Sequence, residues 1–155
     1  MRMVFQRVES ASVEIVENGA LRECAKIGAG ALVLVAVENG DTSEDAQWLA
    51  AKAANMRVFE DADGKMNVSL KDGGGDLIVV SQFTLFGNMR KGSRPSFNRS
   101  AHPETAVPLY EEFCALAEAE LGKKIGRGEF GADMRVHLVN DGPVTIIADS
   151  RNRDI

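Results

Sequence analysis

Two stretches decide how this chain is read: Ala31-Leu32-Val33-Leu34-Val35-Ala36-Val37 and Leu77-Ile78-Val79-Val80-Ser81-Gln82-Phe83-Thr84. Each opens on an unbroken apolar run. A strand with one wet face alternates polar and apolar residues, so these runs predict strands buried on both faces. Working outward, residues 4–16 mix β-branched and polar residues as strands do. Asn18-Gly19 then signals a hairpin, because both residue types tolerate positive φ. Residues 21–27 would be the returning strand, and Gly28-Ala29-Gly30 breaks the chain before the first buried run.

Between the two runs, Thr42 or Ser43 can cap a helix whose positive end suits Glu44 and Asp45. Trp48, Leu49, Lys52 and Met56 follow at helical spacing, which predicts a helix over 43–55. Residues 57–60 read as a short strand, and 61–64 and 72–75 as turns. After the second run, 86–102 is a long loop rich in Gly, Ser, Arg and Pro, a length that is usually functional or mobile. Pro103 suits a first helical turn. An apolar stripe from Val107 to Leu121 and then Gly122 predict a helix and its stop, with Pro108 early enough to be tolerated. Met134, Val136 and Leu138 alternate as in a half-buried strand. Asn140-Asp141-Gly142-Pro143 is expected to turn the chain into a last strand over 144–148. Two main helices against many strands predict an α/β fold: one layered domain, 1–149, with a mixed, largely antiparallel sheet and a polar tail, 150–155. Disorder is expected only in the last few residues, 149–155.

Composition agrees with one globular domain: 155 residues, 45% hydrophobic and 26% charged. Cys24 and Cys114 lack metal-ligand spacing and are expected to be reduced, buried thiols. No apolar run approaches the roughly 20 residues of a membrane span, and the polar N-terminus does not resemble a signal peptide. A cytoplasmic protein that avoids membranes is the expectation. A formal charge of −5 argues against nucleic acid, but its distribution does not. Arg90, Lys91, Arg94 and Arg99 lie in a stretch without a single acid, while Glu104, Glu111, Glu112, Glu118 and Glu120 follow it. Such a stripe can meet phosphates; a solvated loop is the plainer reading.

Familiar catalytic apparatus is scarce. His102 and His137 are the only histidines and show no triad or ligand spacing. Gly28-x-Gly30, the 73–75 glycines and Asp61-x-Asp63-Gly64 each lack the rest of the motif they suggest, so neither a cofactor nor a metal is expected. Two segments carry more. Ser81-Gln82-Phe83-Thr84-Leu85 ends a buried strand, where α/β sheets often bind ligands. Its N–H groups can face a developing oxyanion, and Gln82 or Thr84 can hydrogen-bond a reacting group. Asn140-Asp141-Gly142-Pro143-Val144-Thr145 combines a residue that admits close approach with one that permits a cis peptide. Alone, the first is as readily a strand end emerging into solvent, and the second reads more plainly as an ordinary turn.

Together and in this order, the two segments closely resemble the signature motifs of the D-aminoacyl-tRNA deacylase family. The likeness extends to Gln6-Arg7-Val8, Gly64-Lys65-Met66-Asn67 (read locally as a turn) and Gly92-Ser93-Arg94-Pro95-Ser96-Phe97. It implies a hydrolase of the ester in D-aminoacyl-tRNA, acting as a homodimer with its active site at the interface. Ser81, Gln82, Phe83 and Thr84 would line the pocket for the terminal adenosine and the ester. Gly142 and Pro143, as a cis pair from the other subunit, would form a main-chain wall where an L side chain must lie, with Asn140 and Thr145 in the same motif. Arg7 would support that wall, and glycyl-tRNA would pass it. Arg90, Lys91, Arg94 and Arg99 would contact tRNA phosphates. Either Thr84 is the nucleophile or, as the likeness favours, the terminal 2′-hydroxyl of the tRNA helps activate water. The rival readings are a broader aminoacyl- or peptidyl-ester hydrolase and a catalytically inert RNA-binding or interaction domain of the same fold.

Overall fold

The computed structural model describes the chain from Met1 to Ile155. In chain order its elements are β1 (Arg2–Glu17), β2 (Ala20–Ile27), β3 (Gly30–Ala36), α1 (Ser43–Asn55), β4 (Arg57–Glu60), β5 (Met66–Ser69), α2 (Leu70–Gly73), β6 (Asp76–Ser81), a 3₁₀ turn (Phe83–Phe86), α3 (Pro103–Leu121), β7 (Gly126–Arg127) and β8 (Met134–Asp149).

The hairpin at Asn18-Gly19, both at positive φ, sends the chain back along β1. β2 and β3 then follow one line, β2 antiparallel to residues 11–17 of β1 and β3 antiparallel to residues 2–8. At the break between them, a Cβ on Gly30 would collide with the main chain of Asp76 on the neighbouring β6, so only glycine lets the two strands close up. β6 joins β3 in parallel and β7 joins β6 in parallel, while β8 lines the other edge of β1. The sheet is therefore mixed: antiparallel around β1 and parallel from β3 outward.

β3 and β6 are buried on both faces, as their unbroken apolar runs predict. On one face Val33, Val35, Leu77 and Val79 pack under α1 and α3 with Met3, Phe5 and Phe113. On the other, Leu32, Ile78 and Val80 meet Val8, Val13 and Ala25. The helices start and stop where local chemistry dictates. Thr42 and Asp45 form a capping box for α1. Pro103 occupies the first turn of α3, and Gly122, in the left-handed region, ends it.

Four expectations need correction. Residues 66–69 form a strand, β5, paired with β4, so the likeness to a turn ends at Lys65. Residues 70–73 are a single helical turn capped by Ser69, whose hydroxyl accepts from the Asp72 N–H, and only Gly74 takes the left-handed turn conformation. The chain does not reverse at 140–143. Val8 pairs with Asn140 and Gln6 with Thr145, so four residues of β8 stand opposite the single Arg7 and the strand continues in the same direction. The segment is a bulge, not a corner. Of the stretch expected to be disordered, Asp149 and Ser150 are buried. There the Met1 ammonium donates to Ser150 Oγ at 2.7 Å and pairs with the buried Asp41 carboxylate at 2.7 Å.

Candidate active site

β6 hands its end to a turn that the fold holds from several sides. Leu77 to Val80 are buried and Ser81 is half-buried. The Gln82 N–H makes the last link to β3, donating to Val35 C=O at 2.7 Å. The chain then winds into the 3₁₀ turn, whose first link runs from Leu85 N–H to Gln82 C=O at 3.2 Å. The Phe83 and Thr84 N–H groups precede that link and lie outside the turn's own ladder. Phe86 is buried, with the Arg2 guanidinium 4.8 Å and the Arg99 guanidinium 5.4 Å from its ring centre. Arg2 also donates to Leu85 C=O at 2.9 Å. Phe83 is 56% exposed and meets Phe97 edge to face at 5.1 Å.

Gln82 Nε2 donates to Thr84 Oγ1 at 2.5 Å. Whichever way that amide is turned, it is no base. His102 lies at the N-cap of α3 without a side-chain cap bond, and His137 pairs with Glu14 at 2.8 Å. No three His, Cys, Asp or Glu side chains gather as a metal would require. Beside the turn is a cavity of about 300 Å³ bounded by Ser81, Gln82, Phe83, Tyr110, Phe130 and Val136. Its one phenol is structural: Tyr110 donates to Val79 C=O at 3.1 Å, and burial, reinforced by Cys114, pushes its pKa well upward. Cys114 is buried, and burial raises its thiol to about 11; Cys24 is half-buried, and both thiols are free.

The bulge is built around Arg7, only 6% exposed. Its Nη1 donates to Val58 C=O at 2.8 Å and its Nε to Asp141 C=O at 3.2 Å, so the guanidinium bridges β4 and the bulge. Its Nε also lies 3.1 Å from the Asp141 carboxylate. Asn140 donates from Nδ2 to the carbonyls of Arg7 at 2.9 Å and Val144 at 3.0 Å, closing the base of the bulge. Thr145 Oγ1 accepts from Gln6 at 3.3 Å. The Gly142–Pro143 peptide is cis, and Gly142 has φ +120°.

The two motifs do not meet within one chain. Ser81 lies in the row Ser81–Val35–Met3–Ala148, whereas Arg7, opposite the bulge, pairs with Ala31, which pairs with Leu77. Three strand spacings, about 14 Å, and four residues along β1 separate them.

Of the basic residues, Arg90, Lys91 and Arg94 are exposed and make no ion pair. Arg99 differs: its Nε pairs with Glu38 at 2.6 Å. The sequence pattern does not mark Ser100, whose hydroxyl donates to Phe83 C=O at 2.9 Å, or the contacts that Arg2 and Phe97 make with the turn. Local spacing cannot find any of them, because their partners lie far along the chain.

The family described as D-Tyr-tRNA(Tyr) deacylase matches residues 4–149. A protein of Porphyromonas gingivalis named D-aminoacyl-tRNA deacylase is 52% identical over 99% of this chain and its own full length. One of the same name from Akkermansia muciniphila is 54% identical over 99% of this chain and its own full length. Among solved structures, one titled c-Myc DNA Unwinding Element Binding Protein superposes with a TM-score of 0.87 at 37% identity, covering 96% of this chain and 98% of that one. Another, titled a probable eukaryotic D-amino acid tRNA deacylase, gives 0.80 at 17% identity over the same shares and speaks for the fold alone.

Proposed function

The chain belongs to the D-Tyr-tRNA(Tyr) deacylase family, and from that premise we propose how it hydrolyses the ester of D-aminoacyl-tRNA at the turn that follows β6. Water attacks the ester carbonyl carbon, the bond to the ribose 3′-oxygen breaks, and that oxygen takes up a proton, leaving free D-amino acid and tRNA. The observation that carries this reading is the turn itself: main-chain N–H groups of Phe83 and Thr84 outside the ladder, with no basic side chain bonded to the Thr84 hydroxyl. Preorganised N–H groups stabilise a tetrahedral oxyanion without any side-chain nucleophile. Thr84, hydrogen-bonded only to an amide, lacks the activation a nucleophilic hydroxyl needs. The terminal 2′-hydroxyl of the tRNA supplies the assistance, and Ser81 and Gln82 help position the adenosine.

Chirality is decided by the Asn140–Thr145 bulge of a second copy. Exchanging D for L swaps hydrogen and side chain at the α-carbon. A main-chain wall at Gly142–Pro143 then rejects every L side chain alike and admits D-amino acids and glycine. Two observations support a homodimer: the separation of the two motifs within one chain, and the exposed apolar side chains of Phe83, Val136, Val139 and Ile147. Arg90, Lys91 and Arg94 meet tRNA phosphates; Arg99 is proposed to do so too, with its charge already offset by Glu38. The domain spans 1–149, with 150–155 as its tail, and the proposed compartment is the cytoplasm, where charged tRNA is found. No helix is long and apolar enough to cross a membrane.

The test is deacylation of matched D- and L-tyrosyl-tRNA by the purified chain. Release of D-tyrosine with L-tyrosyl-tRNA left intact is expected. Equal release from both would overturn the wall and favour a broader ester hydrolase. Binding without release would return the chain to the inert RNA-binding reading.

A further inference from the structure

We propose that Ser100 is a positioning residue for this hydrolysis, setting the direction of the Thr84 N–H through the carbonyl on the same peptide. The inference rests on the reading that this N–H faces the oxyanion. A peptide group is planar, so the Phe83 C=O and the Thr84 N–H point in opposite directions within one rigid unit. Whatever holds the first orients the second. The Ser100 hydroxyl donates to the Phe83 carbonyl at 2.9 Å.

Ser100 can act in this way because its own backbone is fixed. Asn39 N–H donates to Arg99 C=O at 2.9 Å, and Ala101 N–H donates to Val37 C=O at 2.9 Å. The Asn39 amide reaches Asn98 C=O at 2.9 Å, and Arg99 pairs with Glu38 at 2.6 Å. The return leg of the basic loop is thus bound to the continuation of β3. That continuation leads on from Val35, whose carbonyl takes the Gln82 N–H. The turn is therefore held to one piece of chain twice, directly at Gln82 and through Ser100 at Phe83. The second hold is a side-chain hydrogen bond to a half-exposed turn, added to the turn's own link at that carbonyl, so its loss loosens the peptide's orientation without opening the core.

Ser100→Ala and Ser100→Thr are compared with wild type on D-tyrosyl-tRNA, with thermal midpoints measured alongside. A hydroxyl that orients an oxyanion donor acts in the transition state, so kcat should fall roughly three- to tenfold in Ser100→Ala. KM and the midpoint should hold, and Ser100→Thr should recover most of the rate. A kcat within about twofold of wild type would overturn the proposal. So would a fall in kcat that tracks a fall in midpoint and is not rescued by threonine. Activity of the wild type on the same substrate separates these outcomes from failure of the underlying reading, which would show as no turnover in any of the three proteins.

Discussion

Nη2 of Arg7 lies 2.9 Å from the place where a methyl group on Gly142 would sit. The same methyl would meet Val144 Cγ2 at 2.9 Å and the Val144 main-chain nitrogen at 3.2 Å, at a φ of +120° that L side chains rarely adopt. Gly142→Ala must displace the guanidinium or the bulge. The expected cost is about 1–3 kcal/mol of stability, read as a lower denaturant midpoint, with L-tyrosyl-tRNA becoming a substrate. Retained discrimination at a shifted midpoint would separate the bulge from chiral choice.

Arg7 itself spans two main-chain oxygens, Val58 and Asp141, with one planar fork. A lysine ammonium is a point donor and cannot serve both. Arg7→Lys leaves a buried carbonyl short of a partner, which costs about 1–3 kcal/mol. The ratio of D to L turnover should fall before the D rate does. Chemical denaturation and paired deacylation assays check the two halves separately.

Thr84→Val removes the hydroxyl and keeps the main chain. If the backbone does the chemistry, kcat should stay within about tenfold of wild type. A tRNA ending in 2′-deoxyadenosine should be hydrolysed far more slowly by both proteins. Abolished turnover in Thr84→Val alone would reinstate the threonine as nucleophile.

Reversing Arg90, Lys91 and Arg94 to glutamate should weaken tRNA binding for every tRNA tested. For each phosphate that is no longer neutralised, the slope of log K against log salt should flatten by about 0.7–0.9. Arg99→Glu should differ, because it sets two carboxylates side by side at Glu38 and so lowers the thermal midpoint as well. Filter binding across a salt series checks the first effect and thermal melts the second.

Asp149 ties β8 to the start of β1. Burial pushes its pKa up, but the N–H groups of Arg151 and Asn152 and the Arg2 guanidinium outweigh it, holding the carboxyl below the ordinary aspartate range. A pKa lower in the folded state than in the unfolded one means stabilisation that is complete above about pH 4 and drains away below it. Asp149→Asn should therefore be less stable at pH 7 and show a shallower acid limb in a plot of midpoint against pH.

What the sequence made legible follows the range of the interactions involved. The bounds of α1 and α3 could be read because capping residues, proline and glycine act within a turn or two. β3 and β6 could be read because burial on both faces leaves no polar residue in the run. β5 and α2, four residues each, exist through pairing with β4 and a cap at Ser69, and so short a stretch shows no periodicity. Asn140-Asp141-Gly142-Pro143 has the composition of a turn; only the pairing of both its flanks with β1, more than 130 residues away, makes it a bulge. The same holds at the site. The motif residues were visible by family likeness, but the bonds from Ser100 to Phe83 and from Arg99 to Glu38 cross 17 and 61 residues and leave no mark on local spacing.

The bulge on β8 has both feet on the same partner strand, at Val8 and at Gln6. It behaves as a buttress with no hinge: to swing, it would have to unzip the ladder on one side. A barrier of this kind is also hard to erode by drift, since exchanging the side chain of Asp141 or Val144 leaves the peptide groups where they were. The glycine and the proline, the arginine beneath them and the asparagine that closes the base are what expose it to change.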